Sequence, residues 1–284
     1  MDSNDILAVV VSYNGLQNLN ETVGALRNQV RYIHIVDNGT DAVALKVLET
    51  LEQVPGITIE RLGENRGVGY ALNRGVERAR QMGCDWLLTM DQDSVVDGSL
   101  ITAYQAALEQ DPTMVSLAPR IAARNRKKDT AGGEITNAIT SGNLVRVSVY
   151  DQIGLYDEGF FIDCIDFDFC LRLRRVGYAV HRVAAARMKH QLGEAIDLPD
   201  AIRRHYARHS PLRRYYMSRN FMYMAERYLF EFPRFIVKLG FSHMIILVLL
   251  GFLDPSPLAS YRAIARGIWD YVVRKSGPYM ERTA

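Results

Sequence analysis

The sequence predicts an α/β fold in which a mostly parallel, doubly wound sheet carries helices on both faces and is followed by a C-terminal helical segment. Short β-branched runs alternate with longer stretches whose apolar residues recur at helical spacing, which is the rhythm of βαβ units. The first run, residues 6–12, is almost wholly apolar, as expected of a strand covered on both faces. A long apolar stretch at residues 235–253 predicts the C-terminal helices.

The elements follow one another in a regular order. A helix is predicted after the first strand because Leu19, Val23, Leu26 and Val30 recur near the 3.6-residue period. Further strands are predicted at residues 32–36, 58–62, 86–90, 115–118, 140–145 and 180–188. Further helices are predicted at residues 42–54 and 98–110, with others ending near residues 82 and 177 and one beginning after residue 210.

Composition fits a globular protein of 284 residues, with 48% apolar residues, 23% charged residues and a net charge of +2. Residues 1–171 hold 14 Lys/Arg and 24 Asp/Glu, whereas residues 172–238 hold 15 and 5. An acidic half suited to a metal therefore precedes a basic segment suited to phosphates or an anionic surface. The cysteines (Cys84, Cys164 and Cys170) form neither a metal-ligand pair nor an even disulfide set, so we expect a cytoplasmic location.

Two carboxylates separated by one residue follow the central predicted strand. Residues 86–90 run straight into Asp91, Gln92 and Asp93. Ligands of open α/β sheets bind at the carboxyl ends of the strands, and two acids there suit Mg²⁺ or Mn²⁺ carrying a diphosphate. Because D-x-D is frequent by chance, a strand followed by a turn that caps the next helix is the alternative explanation.

The loop at residues 63–75 is rich in glycine, which suits a backbone that approaches a ligand. A dinucleotide-binding fingerprint needs a third glycine at position 72. That position is Leu72, so the sequence argues against a dehydrogenase.

A third acidic stretch opens the helix that ends near residue 177. Its acids are Asp163, Asp166 and Asp168. A helix dipole favours acids in the first turn, and Asp168 can pair with Arg172 four residues on. Asp163 and Asp166 lie among Phe, Ile and Cys, and partial burial of a carboxylate is a setting suited to a catalytic base.

The helix after residue 210 has a basic face. Ser210 and Pro211 predict its N-cap and first position, and Arg213, Tyr216 and Asn220 then share one side. The two-pronged geometry of arginine suits diphosphate oxygens. A solvated basic helix face is the alternative.

Six stretches in this order and spacing make the sequence similar to the inverting GT-A glycosyltransferases of family 2, specifically to bacterial rhamnosyltransferases. They are residues 11–14, 36–38, 65–69, 91–94, 165–168 and 209–220. The resemblance covers roughly residues 6–222. It implies a GT-A catalytic domain over residues 1–220, followed by an amphipathic helical segment over residues 221–284.

The resemblance also implies roles for single residues. Asp37 would hydrogen-bond the nucleotide base, and Asp91 would lie near the ribose. Further contacts with the nucleotide sugar are implied for Ser12, Asn14, Asn65, Gly67, Arg213 and Arg219.

The chemistry would fall to three other residues. Asp93 would bind the metal, and Asp166 would be the base that deprotonates the acceptor hydroxyl. His190 falls where relatives place a third metal ligand, and a structural role is its alternative. Ile165 stands where the family has Glu, which leaves one acceptor or base-orienting contact open.

The implied donor is dTDP-L-rhamnose, and the implied acceptor is a lipid-linked cell-surface glycan precursor of the O-antigen or capsule type, with no nucleic-acid partner. Alternatives are the same fold with UDP-galactofuranose or UDP-N-acetylglucosamine as donor, or a non-catalytic nucleotide-sugar-binding homologue. The presence of Asp166 argues against the last. A nucleotidyltransferase would need a Gly-rich Lys/Arg signature after the first strand, which is absent.

The C-terminal segment is predicted to lie on a membrane. No run of about 20 apolar residues is free of charge, and the unbroken stretch at residues 244–253 is too short to span a bilayer. An in-plane helix would hold the enzyme on the inner face of the cytoplasmic membrane. Packing on the domain or on a second subunit of a homo-oligomer is the alternative. The N-terminus lacks the basic region of a signal peptide.

Overall fold

The computed structural model describes residues 2–14, 18–40, 45–121, 132–190 and 207–280. Contacts divide the chain into two compact units. Unit 1 comprises residues 1–158 and 166–191, and unit 2 comprises residues 159–165 and 192–284. Neither division falls at the predicted boundary, residue 220. That residue lies within one helix, which runs without interruption from Pro211 to Tyr228.

Unit 1 is built on a sheet in which nine strands lie within the described residues. The strands are β1 (Ile6–Ser12), β2 (Tyr32–Asp37), β3 (Ile57–Arg61), β4 (Trp86–Asp91), β5 (Ser94–Val96), β6 (Ser116–Ile121), β7 (Gly133–Ile135), β8 (Asn143–Arg146) and β9 (Val180–His190). Their order is β3-β2-β1-β4-β8-β6-β9-β5, and β7 pairs with β9.

The first four strands pair in parallel, as the sequence predicts. β1 pairs in parallel with β2 and β4, and β2 pairs in parallel with β3. Beyond β4 the sheet is mixed. β8 is antiparallel to β4 and β6, β9 is parallel to β6, and β5 and β7 are antiparallel to β9. The α/β class with helices on both faces is confirmed.

Helices cover the sheet of unit 1 on both sides. They are α1 (Leu19–Arg27), α2 (Leu45–Glu52), α3 (Val68–Met82), α4 (Leu100–Gln110), α5 (Tyr150–Ile153) and α6 (Ile165–Arg175), whose first residue belongs to unit 2. One core joins α1, α2 and α4 to the face of β1 that carries Ile6, Ala8 and Val10. α3 lies on the opposite face, where Gly75 leaves no space for a Cβ beside Val9. Burial on both faces explains why β1 is apolar at successive positions.

Unit 2 contains three long helices: α7 (Pro211–Tyr228), α8 (Pro233–Leu253) and α9 (Pro257–Val272). α7 and α9 approach closely at Gly267, where a Cβ would collide with the Tyr215 carbonyl oxygen and the Ser218 Oγ. By length and composition alone, α8 is long and apolar enough to cross a membrane. This corrects the expectation that the apolar stretch is too short, because Arg234 and Lys238 lie in the first two turns and leave the rest of the helix without Asp, Glu, Lys or Arg.

Candidate active site

Three polar residues predicted for the nucleotide lie at one edge of the sheet in unit 1. The parallel register pairs Ser12 of β1 with Asp37 of β2, and Val11 with Asp91 of β4. The carboxyl ends of these strands therefore meet at the edge where ligands of open α/β sheets bind. The structure thus brings Ser12, Asp37 and Asp91 together as the order of parallel strands requires.

Ser12 has a buried hydroxyl without a hydrogen-bond partner among the described residues. Its exposed fraction is 0%. A buried hydroxyl that lacks a partner costs free energy of about 1–3 kcal/mol. A ligand group at this edge would remove that cost, which fits the predicted nucleotide contact of Ser12.

The loops after β2 and β3 are joined by two asparagine side chains. Asn38 Nδ2 donates to Asn65 Oδ1 at 3.1 Å, and Asn38 Oδ1 accepts from the Arg66 backbone N at 2.8 Å. Asn65 Oδ1 also accepts from the Gly67 backbone N at 3.0 Å. Gly67 has φ of 91°, a conformation that favours glycine. The predicted nucleotide residues Asn65 and Gly67 are therefore held in place by Asn38, which belongs to the stretch at residues 36–38 but had no predicted role.

Asp37 is buried at the end of β2, with an exposed fraction of 2%. Its carboxylate accepts hydrogen bonds from the backbone N and the hydroxyl of Thr40. The position at the sheet edge agrees with the predicted contact with the nucleotide base. A base would approach a carboxylate whose orientation is already fixed.

Asp91, Asp93 and His190 form a cluster that could hold a metal ion. Each offers one ligand atom, and these atoms lie within 4.8 Å of one another. His190 reaches the acids through the antiparallel pairing of β5 with β9, which places it opposite Ser94. Two carboxylates and one imidazole, all half-buried, fit Mn²⁺, and the carboxylates alone also fit Mg²⁺.

The ring of His190 has a fixed orientation. Its Nδ1 lies 2.7 Å from Ser94 Oγ and 3.7 Å from Asp93 Oδ1. Hydrogen bonding of one ring nitrogen to a neighbouring group is common in metal-binding histidines, because it aims the other nitrogen. Ser94 therefore fixes the imidazole beside Asp93, and the role of His190 as third metal ligand stays a prediction.

Gln92, between the two acids, has a structural role that no sequence pattern predicted. Its Oε1 accepts from the Tyr13 backbone N at 2.9 Å, and its Nε2 donates to the carbonyls of Tyr13 at 3.0 Å and Asn14 at 2.8 Å. Asn14 has φ of 42°, so this turn is in the sparsely populated left-handed region. The side chain of Gln92 thus ties the turn after β1 to the segment that carries the acids.

Asp166 lies in the first turn of α6 in unit 1 and is half-buried. Its Oδ1 accepts from the Phe167 backbone N at 2.9 Å. Asp168 is different, because it is 1% exposed and its Oδ2 accepts from Arg172 Nε at 2.8 Å. The predicted pairing of Asp168 with Arg172 is confirmed, which leaves Asp166 as the stronger candidate for a base in this turn.

Asn73 on α3 holds the segment that precedes this helix, and no sequence pattern predicted this role beyond a polar residue on an apolar face. Its Nδ2 donates to the Tyr156 carbonyl at 3.0 Å and to Glu158 Oε1 at 2.8 Å. Its Oδ1 accepts from the Tyr156 backbone N at 2.8 Å. One buried amide therefore fixes residues 156–158.

In unit 2, the predicted polar face of α7 contacts residues 159–165. Arg213 Nη2 donates to Asp163 Oδ1 at 3.0 Å, and Tyr216 stacks on Phe161 with ring centroids 5.0 Å apart. Asn220 Nδ2 lies within hydrogen-bond distance of the carbonyls of Phe160, Ile162 and Asp163. The prediction that Arg213, Tyr216 and Asn220 share one face is confirmed. This face holds the loop at residues 159–165, which belongs to the same unit.

Arg219 is fully buried on α7. Its guanidinium donates to the carbonyls of Gly277 at 2.7 Å, Gly159 at 2.9 Å and Phe160 at 3.2 Å. These contacts occupy the donors that the predicted diphosphate contact would use. The geometry therefore describes Arg219 as a residue that holds the loop at residues 159–165, and Arg213 as the more accessible of the two arginines.

His209 precedes the N-cap of α7. Burial and the neighbouring charges of Arg213 and Arg214 lower its pKa to about 4. The imidazole is therefore neutral at physiological pH. Ser210 caps the helix as predicted, since its Oγ accepts from the Arg213 backbone N at 3.2 Å.

Comparison of sequences gives two matches to known proteins. A model of the family described as Glycosyl transferase family 2 matches residues 7–164. The chain is also 30% identical over 247 residues to dTDP-rhamnosyl transferase RfbF of Shigella flexneri, covering 78% of this chain and 79% of that protein. The family match includes Asp37, Asp91 and Asp93 and ends before Asp166 and His190.

Solved structures share the fold. S. aureus TarS 1–349 aligns over 94% of this chain and 88% of that chain, with a TM-score of 0.55 and 16% identity. Its complex with UDP-GlcNAc aligns over 95% and 73%, with a TM-score of 0.56 and 14% identity. GalNAc-T7 with UDP, GalNAc and Mn²⁺ aligns over 65% of this chain and 43% of that chain, with a TM-score of 0.56 and 18% identity.

Proposed function

The chain belongs to glycosyltransferase family 2, and from this membership and the sheet-edge geometry we propose that it transfers L-rhamnose from dTDP-L-rhamnose to a hydroxyl of a cell-surface glycan precursor. The observation that carries the choice of donor is the 30% identity, over 78% of this chain, with a dTDP-rhamnosyl transferase. The structural neighbours are less than 25% identical and support the fold alone, so they do not favour UDP-N-acetylglucosamine or UDP-galactofuranose.

The nucleotide would bind at the edge formed by β1, β2 and β4. The Ser12 hydroxyl, which has no hydrogen-bond partner in the part of the chain that the structure describes, and the oriented carboxylate of Asp37 support a base and ribose at this edge. Asn65 and Gly67 would line the same site through the loop that Asn38 fixes. A contact of Arg213 with the donor remains a prediction from the resemblance, whereas the guanidinium of Arg219 already donates to loop carbonyls.

The transfer itself would use Asp166. The acceptor hydroxyl oxygen forms a bond to the anomeric carbon of rhamnose, the bond from that carbon to the diphosphate oxygen breaks, and dTDP leaves. The carboxylate of Asp166 takes the hydroxyl proton as the new bond forms. A single displacement of this kind inverts the anomeric configuration.

Asp91, Asp93 and His190 would hold the divalent cation. Mg²⁺ or Mn²⁺ bound there would neutralise charge on the diphosphate. The three residues fit either ion, and imidazole coordination would favour Mn²⁺. Ser94 would keep His190 oriented for this role.

Donor choice can be tested with the purified full-length protein and a rhamnose-tipped glycan acceptor. Nucleoside diphosphate release and glycan mass are measured with dTDP-L-rhamnose, UDP-galactofuranose and UDP-N-acetylglucosamine at equal concentrations, with Mg²⁺ or Mn²⁺ present. We expect turnover and a glycan product one rhamnose heavier with dTDP-L-rhamnose. Faster turnover with either UDP-sugar would contradict the proposed donor.

A further inference from the structure

The outer face of α8 is apolar and exposed. Val237, Phe241, Met244, Val248 and Phe252 recur every three or four residues, so they share one side of the helix. Each is between 63% and 83% exposed. Such a row of exposed apolar side chains indicates a binding site, because monomeric proteins rarely expose a contiguous apolar strip to water.

The opposite side of α8 packs against α7 and α9. His243 stacks on Phe221 of α7 with ring centroids 4.6 Å apart, and Gly240 faces the same ring. Ile246 and Leu250 pack with Met217 of α7 and Ile264 of α9. α8 is therefore apolar around its circumference, and its own unit covers only one side.

Positive charge lies beside the exposed row. Arg234 and Lys238 line one open depression together with Pro233, Val237 and Phe241. α8 contains no Asp or Glu. If two copies of the chain met through this face, neither α8 would offer a carboxylate to pair with the two cations. Anionic lipid headgroups would pair with the cations while the apolar row enters the acyl boundary.

We propose that the exposed face of α8 docks on an anionic phospholipid surface, with the helix lying in the plane of the membrane. An orientation across the bilayer is disfavoured because α7 lies alongside α8 through Met217 and Phe221, among Arg214, Arg219 and Glu226. A spanning α8 would carry those ionisable residues into the hydrocarbon region, where they are costly. The inference does not depend on the proposed donor or acceptor.

The first experiment is flotation of the full-length protein with vesicles of phosphatidylglycerol and phosphatidylcholine, compared with phosphatidylcholine alone. We expect binding to the anionic vesicles, and loss of that binding in Val248→Asp. The matched control is Val176→Asp, which introduces the same charge at an exposed valine of unit 1 and should bind normally. Circular dichroism checks that both variants are folded.

A second pair of variants tests the charge. Lys238→Gln is expected to lower the partition coefficient for anionic vesicles about fivefold, since each basic residue near the surface contributes a comparable factor. Lys46→Gln, at an exposed position of α2, should leave it unchanged. A Lys238→Gln protein that binds anionic vesicles as tightly as the unmodified protein would contradict the proposed attraction to anionic headgroups.

Three results would overturn it. The first is absence of flotation by the unmodified protein with either vesicle. The second is a dimer in sedimentation experiments that Val248→Asp converts to a monomer without any vesicle binding, which would assign the face to a second copy. The third is resistance of the membrane-bound protein to alkaline carbonate extraction, which would assign α8 to a spanning orientation.

Discussion

At the scale of single residues, Asp91, Gln92 and Asp93 are consecutive but face different surroundings. The two acids converge with His190, whereas the Gln92 amide makes three hydrogen bonds to the backbone of the turn after β1. Gln92 and Asp93 form the two-residue turn between β4 and β5, and the change of chain direction in this turn permits the division. The segment between β4 and β5 therefore carries Asp93 of the candidate metal cluster and also holds the turn after β1.

Gln92→Ala is expected to raise the KM for dTDP-rhamnose by about tenfold with little change in kcat. Loss of these hydrogen bonds releases the turn, and a net hydrogen bond contributes about 0.5–1.5 kcal/mol. Steady-state kinetics and the unfolding midpoint would be measured together. Gln29→Ala is the control, because Gln29 also bridges backbone groups, at Ala25, Asp97 and Ile101. A KM that rises equally in both variants would indicate general loosening.

Asp93→Ala is expected to abolish turnover and to weaken dTDP-rhamnose binding when Mg²⁺ or Mn²⁺ is present. The cluster loses a carboxylate, and a hard cation binds chiefly through such oxygens. Electron paramagnetic resonance of Mn²⁺ with the donor-free protein measures the metal directly. Asp97→Ala, an acid outside the cluster, serves as the control. Full activity of the unmodified protein in excess EDTA would overturn the assignment.

Asp166→Asn is expected to lower kcat by about 10²–10⁴-fold while dTDP-rhamnose affinity stays nearly unchanged, since the amide cannot accept the acceptor proton. Asp163→Asn should retain more activity, because Asp163 lies in unit 2 and pairs there with Arg213 of the same unit. Quenched-flow transfer assays and donor titration separate the two effects. Near-normal transfer by Asp166→Asn, with loss in Asp163→Asn, would reassign the base.

The remaining carboxylate of this stretch needs a stability measurement beside the activity. Asp168 is buried and paired with Arg172, so Asp168→Asn leaves a charge without its partner. Breaking a buried pair in this way typically costs about 3–5 kcal/mol. A decline in activity that parallels a lower unfolding midpoint would be structural in origin. A decline in kcat at full stability would make Asp168 a rival of Asp166.

At the scale of elements, α7 organises unit 2 through contacts on two sides. One side holds residues 159–165, in which Phe161, Asp163 and Cys164 have φ between 63° and 65°. Non-glycine residues in this conformation are strained and persist where surrounding contacts determine them. The other side packs on α9 at Gly267. The basic run that the sequence offers for phosphate binding is therefore also a scaffold.

Gly267→Ala is expected to lower the free energy of unfolding by about 1–3 kcal/mol, because the added Cβ meets the backbone of α7 and forces the helices apart. Gly24→Ala is the matched control. Gly24 also lies within a helix, and no atom lies within 4 Å of its added Cβ. Helix propensity there predicts a gain of up to about 1 kcal/mol. Denaturant unfolding would compare the two, and equal effects would contradict the close packing.

At the scale of the whole molecule, each unit contains a histidine that resists protonation. Burial lowers the pKa of His34 in unit 1. Burial and two arginines lower the pKa of His209 in unit 2 to about 4. An unfolded histidine titrates near 6.5, so protons bind the unfolded chain more readily than the folded one. This contribution to stability is present above about pH 6.5 and is lost as the pH falls toward 4.

The unfolding midpoint is therefore expected to fall between pH 6.5 and 4, and His209→Gln should make that decline shallower. Differential scanning fluorimetry across this range measures both proteins. Their midpoints at pH 7.5, where His209 is neutral, serve as the reference for any general loss of stability. Identical slopes in the two proteins would contradict the assigned role of His209.

The sequence by itself determined the strands β1, β2 and β4, the polar residues that follow them, and the family. These features depend on local patterns, because apolar runs of β-branched residues specify buried strands and parallel pairing places their carboxyl ends together. The helix start at Ser210 and the pair between Asp168 and Arg172 were predictable for the same reason, since capping and i, i+4 spacing act within a few residues.

Only the tertiary structure decided which distant groups meet. His190 joins Asp93 because β5 and β9 pair across almost 100 residues, and Gln92 reaches a turn 78 positions earlier in the chain. Arginine is a residue type suited to binding phosphate, yet Arg219 is buried against loop carbonyls because of the way the helices pack. Local periodicity cannot predict such contacts, because they form between segments that lie far apart in the sequence and at no fixed spacing.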